Sequence, residues 1–131
     1  MRRLLTALIF VLPLTAFAEA ADPCKTQNNT MEINACGQKQ FEQGDKALNQ
    51  AYQALLKKLS TKDTPDYRNS VIRPYVITAQ RAWITFREND CKGLYTYNEG
   101  GTLRNVIYLT CMTDHAAQRT KDLKAFTSQE Q

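Results

Sequence analysis

Side chains able to do chemistry are few in this chain of 131 residues, which holds one histidine and four cysteines. His115 is the only imidazole, and it lies in a polar Thr113-Asp114-His115 stretch without a second or third ligand at metal-binding spacing. A single histidine so placed reads as solvated or core-edge rather than as a catalytic base or metal ligand. Cys24, Cys36, Cys91 and Cys111 are spaced by 12, 55 and 20 residues. That matches no zinc-binding pattern, and an even set in an exported domain reads as two disulfides, which removes the thiolates needed for nucleophilic or metal chemistry. Thirteen Asp and Glu residues supply carboxylates for a glycosidase-like pair, but a small helical domain rarely offers the cleft such a pair needs. The residues therefore predict no enzyme, no cofactor and no metal site.

The disulfide reading depends on the N-terminus. Arg2 and Arg3 precede an apolar run from Leu4 to Ala18, which ends in Ala16-Phe17-Ala18 and is followed by Glu19. This is the order of a cleavable secretory signal, with cleavage after Ala18 or Ala20. Pro13 and the short length argue against a membrane anchor, and no cysteine stands at the cut for lipid attachment. The expected location is periplasmic or secreted. Removing residues 1–18 leaves 113, enough for one domain spanning 24–126, with a polar, fraying tail at 127–131. The net charge of +4 falls to +2 as Arg2 and Arg3 leave, too mild for a nucleic-acid partner.

Three helical segments must position whatever acts. Asn29 and Glu32 form a capping-box pattern opening a helix that runs to about Leu59, and capping also accounts for the glycosylation-like Asn28-Asn29-Thr30. Ile33, Gly37, Gln40, Gly44, Leu48, Ala51, Leu55 and Leu59 recur on one face, and Gly37 and Gly44 there point to close approach of another backbone. Thr64-Pro65 reads as the next helix start, with Pro65 in the first helical position. Pro74 then either begins the main helix or kinks a single one. The stripe Ala79, Ala82, Trp83, Phe86, Asp90, Gly93, Leu94 and Tyr97 is expected to face the core. Gly100 and Gly101 are expected to end that helix in left-handed conformation, and Thr102 to cap a last helix from about Leu103 to Phe126, with Ile107, Cys111, Ala116, Arg119, Leu123 and Phe126 near one face.

The expected fold is all-α, a small antiparallel three-helix bundle stapled by two disulfides. Up-down-up packing gathers Cys36, Cys91 and Cys111 at one end, each about two turns from a helix terminus, and the lead-in carrying Cys24 reaches the same place. Of the three possible pairings, Cys36–Cys91 with Cys24–Cys111 is favoured, with the others geometrically open.

Several segments together resemble the LprI-type lysozyme inhibitor domain of bacterial envelope proteins. They are Glu32-Ile33-Asn34-Ala35-Cys36; Asp45, Leu48, Asn49 and Tyr52 in a D-x-x-L-N-x-x-Y spacing; and Gln80, Arg81, Trp83, Phe86, Arg87 and Cys91 in a Q-R-x-W-x-x-[FY]-R-x-x-x-C spacing. Gly100-Gly101-Thr102, Cys111, Thr113, Arg119 and Leu123 complete the likeness, over about residues 24–123. The resemblance implies a protein partner, a lysozyme, and inhibition of peptidoglycan hydrolysis. An envelope interaction module, or an immunity protein against another toxin, is the alternative. Trp83, Phe86, Leu48 and Tyr52 fall on helical stripes and are expected in the core, with Asp45, Asn49, Gln80, Trp83 and Arg87 in a structural network in which Asp45 pairs with Arg87. Tyr95, Tyr97, Gly100, Gly101, Thr102 and Arg104 surround an exposed loop on a rigid scaffold and are the candidate partner-binding residues. Glu88, Asp90 and Glu99 form a small acidic group nearby.

Overall fold

A computed structural model describes Cys24 and residues 26–128; residues 1–18, where an export signal is expected, and residues 129–131 of the expected tail lie outside the described residues. Three helices, α1 (Thr30–Lys58), α2 (Asn69–Tyr97) and α3 (Arg104–Ala125), account for most of them, and no strand occurs among the described residues. None of these helices is long and apolar enough to cross a membrane. The first cap forms as its residues predict. The Asn29 side chain accepts the Glu32 amide at 3.0 Å, and the Glu32 carboxylate returns to accept the Asn28 amide at 3.1 Å, so two otherwise orphaned donors are satisfied. At the other end of the chain, Thr127 and Ser128 continue in a turn, the Ser128 amide donating to the Ala125 carbonyl at 3.1 Å.

The start of α2 differs from the expectation at Thr64-Pro65: the helix opens four residues later, at Asn69, and runs through Pro74 to Tyr97 as a single element. Pro65 lies instead in a loop held by Thr64. Its hydroxyl accepts the Tyr67 amide at 3.1 Å, and its own amide donates to the Tyr67 carbonyl at 2.9 Å. Asp63 then reaches across this loop and takes over the capping role. Its carboxylate accepts the Ser70 backbone amide at 2.8 Å and the Ser70 hydroxyl at 2.6 Å. Those two bonds, the hydroxyl first, hold the Asp63 carboxyl below its ordinary value of 3.8.

A carboxyl whose folded value is depressed contributes stability above its unfolded value and loses it as pH falls through the folded one. The expected outcome for Asp63→Asn is a lower urea midpoint near pH 7, with the gap to wild type closing below about pH 4 as wild-type Asp63 protonates. A gap that stays constant down to about pH 2 would show that the charge of Asp63 does not contribute.

The helices run up, down, up. A Cβ added to Gly37 would meet Leu109 at 3.4 Å, and one added to Gly44 would meet Ala116 and Thr113 at 3.8 Å, which sets α1 parallel to α3 and close against it. The α3 helix packs on both α1 and α2, whereas the α1 and α2 backbones barely approach each other. Leu48, Ala51, Leu55 and Leu59 from α1, Val76 from α2, and Ala116 and Leu123 from α3 form the core, flanked by Tyr52, Leu56, Ile72 and Trp83. On α3, Leu109 and Met112 are also buried, while Phe126, expected on the inner face, is exposed.

The inner face of α2 is rotated from the expected one. Val76, Gln80, Arg87 and Cys91 are buried, whereas Ala79, Ala82, Phe86, Asp90, Gly93, Leu94 and Tyr97 face solvent. Phe86, expected in the core, is 55% exposed. Polar groups win the inner face because each finds a partner there, so their burial is compensated.

The disulfides pair consecutive cysteines, Cys24 with Cys36 and Cys91 with Cys111; this corrects the favoured Cys36–Cys91 and Cys24–Cys111. The cysteines do gather at one end of the bundle. With α3 lying between the other two helices, however, Cys91 faces Cys111 across the antiparallel α2–α3 pair, at a Cα–Cα distance of 5.6 Å. The lead-in turns back at once onto α1, through a Cys24–Gln27 backbone bond, and brings Cys24 to Cys36.

Candidate functional site

At this stapled end α2 gives way to α3 through residues 98–103. No glycine or other described residue has positive φ, so the expected left-handed termination at Gly100-Gly101 does not occur. Asn98 closes α2 instead. Its amide donates to the Leu94 and Tyr95 carbonyls at 3.2 Å, and its side-chain amide donates to the Leu94 carbonyl at 2.7 Å. The Glu99 amide bonds the Thr96 carbonyl and the Gly101 amide bonds the Asn98 carbonyl, so the loop is a run of tight turns. Nor does Thr102 cap α3: Leu103 occupies that position and makes no side-chain capping bond.

Arg104 compensates from inside the loop. Its Nη1 donates to the Glu99 and Gly101 carbonyls at 3.0 and 3.3 Å, and its Nε donates to the Tyr95 hydroxyl at 3.1 Å. The guanidinium lies 5.8 Å from the Tyr95 ring centre, and Tyr95 in turn packs edge-on to Tyr108. The six candidate binding residues therefore divide. Tyr95 and Arg104 are half-buried and hold the loop, while Tyr97, Gly100, Gly101 and Thr102 are exposed. Tyr97 is 89% exposed, and a Cβ at Gly100 would meet nothing within 4 Å. Leu103, half exposed beside them, is a member that sequence reasoning passed over. Its signal was a large apolar side chain directly after Gly-Gly-Thr.

The predicted polar network forms one layer deeper. Arg87, 6% exposed, donates through Nη1 to Asp45 Oδ1 at 2.9 Å, and the Asn49 side chain donates to Asp45 Oδ2 at 3.2 Å. Arg119 Nε donates to the oxygen of Gln80, itself 4% exposed, at 3.0 Å. Both guanidiniums lie near the Trp83 ring, Arg87 4.9 Å and Arg119 5.9 Å from its centre, a spacing at which ring and cation attract. Phe41 adds a second ring 5.9 Å from Arg87. Because the α1 and α2 backbones stay apart, these long side chains span the gap.

His115 Nε2 lies 2.8 Å from an Asp90 carboxylate oxygen, with Phe86 edge-on to the imidazole. Sequence reasoning missed this pairing, which becomes apparent only once Cys91 is bonded to Cys111, because Asp90 precedes Cys91 and His115 is one helical turn beyond Cys111. Asp90, Cys91, Cys111 and His115 bring four potential ligand atoms within 4.8 Å of one another, but both sulfurs are committed to the disulfide. Glu88, Asp90 and Glu99 are all exposed near the loop. At the opposite end of the bundle, Leu59, Tyr67, Ile72 and Phe126 line a cavity of about 360 Å³ whose walls include Lys58 but no carboxylate, histidine or cysteine.

A family model described as lysozyme inhibitor LprI matches residues 20–123. An uncharacterized protein of Rhizobium meliloti (strain 1021) is 27% identical over 131 residues, covering 95% of this chain and 94% of its own length. No solved structure matches the chain.

Proposed function

Because the chain belongs to the family of LprI lysozyme inhibitors, we propose that it binds a lysozyme and blocks peptidoglycan hydrolysis by seating loop 98–103 in the enzyme's cleft. The observation that carries this reading is the division of labour at the loop. Arg104 and Tyr95 tie its carbonyls from beneath, while Tyr97, Gly100, Thr102 and Leu103 project outward. A loop already held in one shape loses little conformational freedom on docking, which is where preformed inhibitors gain affinity. Lysozymes cleave glycan strands with paired carboxylates in a groove. A narrow Gly-Gly tip enters such a groove without steric conflict, the Thr102 hydroxyl has a donor for a carboxylate, and Tyr97 and Leu103 supply apolar area beside it. Arg104 serves here as a positioning residue, since its bonds are spent on the loop. The reading includes export: the order of residues 1–18 is that of a cleavable signal, and an exported inhibitor meets its target outside the cytoplasm.

Titration of animal-type lysozyme in a cell-wall lysis assay tests the proposal. Wild type is expected to inhibit, and Gly101→Trp to weaken inhibition by at least about 100-fold, corresponding to roughly 3 kcal/mol of lost complementarity. Arg104→Ala, which frees the loop carbonyls, is expected to weaken it about tenfold. Inhibition by Gly101→Trp equal to wild type would remove the loop from the interface, and a wild type that inhibits no lysozyme would overturn the function itself.

A further inference from the structure

The solvent face of α2 carries a second surface. Tyr75, Ala79, Ala82, Phe86, Gly93 and Tyr97 are all exposed, and their spacing of three, four and seven residues keeps them on one side of the helix. It is the apolar stripe that periodicity assigns to the core, and the described residues leave most of it uncovered, with His115 of α3 meeting Phe86 edge-on at its border. Tyr75, Phe86 and Tyr97 are 73%, 55% and 89% exposed. Asp90 is the one charged residue along this stripe, and it is engaged with His115.

Apart from Ala82 and Asp90, four residues to either side of Phe86, the stripe reads the same in both directions. Tyr75 and Tyr97 stand equally far from Phe86, about 16 Å to either side at helical rise, and the small residues Ala79 and Gly93 are likewise equidistant from it. We propose that α2 pairs antiparallel with α2 of a second copy of this chain, on a two-fold axis passing Phe86, with Tyr75 of each copy level with Tyr97 of the other. A two-fold contact requires a patch that complements itself, and a like-charged stripe would repel its copy; this one matches at Tyr75/Tyr97 and Ala79/Gly93, and its one mismatch sets the small Ala82 opposite Asp90, which is bonded to His115 of its own chain. At the usual area of an aromatic residue, the three rings present roughly 400 Å² of exposed surface per chain. With the small and apolar residues around them, pairing covers on the order of 1,200 Å² in total, the lower bound for a specific interface. The expected dimer is therefore weak, with a Kd of about 1–100 µM. Its two 98–103 loops would lie at opposite ends, and because Tyr97 serves both surfaces, the weak dimer gives way when a loop docks in lysozyme.

Sedimentation velocity of the purified protein over that concentration range is expected to show the monomer giving way to a dimer. Phe86→Glu and Tyr75→Glu should each leave it monomeric, and Tyr75→Glu, whose side chain is 73% exposed, should keep the melting temperature of the dilute, monomeric wild type. A short bis-maleimide, inert toward the native disulfides, should cross-link Phe86→Cys to itself. It should link Tyr75→Cys to Tyr97→Cys in a mixture, but neither of these to itself. A protein that stays monomeric throughout, a dimer that survives Phe86→Glu, or self-linking of Tyr75→Cys overturns the proposal. Tyr75 lies at the far end of α2 from the loop, so Tyr75→Glu should still inhibit lysozyme. If it is inactive and wild type is monomeric, the stripe belongs to the lysozyme and not to a second copy.

Discussion

Asp45→Ala is expected to destabilise the protein by about 3 kcal/mol, whereas Arg87→Met, at the other end of the same ion pair, is expected to cost about 1 kcal/mol or less. The asymmetry follows from burial. The side chains of Arg87 and Asp45 are 8% and 33% exposed. Removing Asp45 strands a guanidinium that cannot reach water and whose Nε already lacks a hydrogen-bond partner; the faces of Trp83 and Phe41 offset only part of that cost. Removing Arg87 leaves a carboxylate that turns to solvent and keeps its bond from Asn49, while Met fills the vacated volume. Arg87→Ala, which empties that volume, should fall between the two. Urea unfolding of the three variants measures the differences. Equal losses for Asp45→Ala and Arg87→Met would mean that desolvation of the cation does not govern this layer, and unchanged stability with lost binding would move Arg87 from the scaffold to the interface.

The double substitution Cys91→Ala, Cys111→Ala is expected to cost about 3 kcal/mol or somewhat more. Closing a loop of this length contributes about 3 kcal/mol through the unfolded chain, and Cys91 is fully buried, so its loss also disturbs packing. For a domain of this size the melting temperature should fall by roughly 15–20 °C. Loop length alone predicts nearly the same loss for Cys24→Ala, Cys36→Ala, but here the two bonds differ. Cys91–Cys111 joins two packed helices, whereas Cys24–Cys36 ties a short lead-in that can come loose without opening the bundle. The second pair should therefore cost only about 1 kcal/mol. Calorimetry of the two double variants distinguishes the cases, and equal shifts would show that the lead-in is as integral to the fold as the α2–α3 hairpin.

Much of the scaffold was legible in the residues. The Asn29 and Glu32 cap, the Leu48–Leu59 stripe and the gathering of cysteines at one end follow from local chemistry, helical period and antiparallel packing, whereas the Asp45–Arg87 pair was reached from the motifs that carry the family resemblance. What periodicity misjudged was the rotation of α2. The residues offer both Phe86 and the network of Gln80 and Arg87 to the inner face, one helix face cannot hold both, and the partners Arg119 and Asp45, some 40 residues away in each case, decide for the polar pair. The cysteine pairing was hidden for a related reason: it depends on which helix lies in the middle, and amphipathic spacing contains no such information. Asp63 was missed as a cap because it acts across seven residues, beyond the three-residue pattern by which caps are read. At the loop the six candidates were found together, but the roles of Tyr95 and Arg104 as internal braces appear only once the Glu99 and Gly101 carbonyls are placed.

The central position of α3 bears on when this chain can fold. The first two helices share little beyond the Asp45–Arg87 layer; Leu48, Ala51 and Leu55 lack much of their packing until Ala116 and Leu123 arrive. Those residues belong to α3, the last of the three described helices to be synthesised. A growing polypeptide therefore cannot close its core while it is still attached to the ribosome with α3 incomplete. For a protein read as crossing a membrane in an extended state, a keystone placed in the third helix keeps the first two threadable until α3 has followed them.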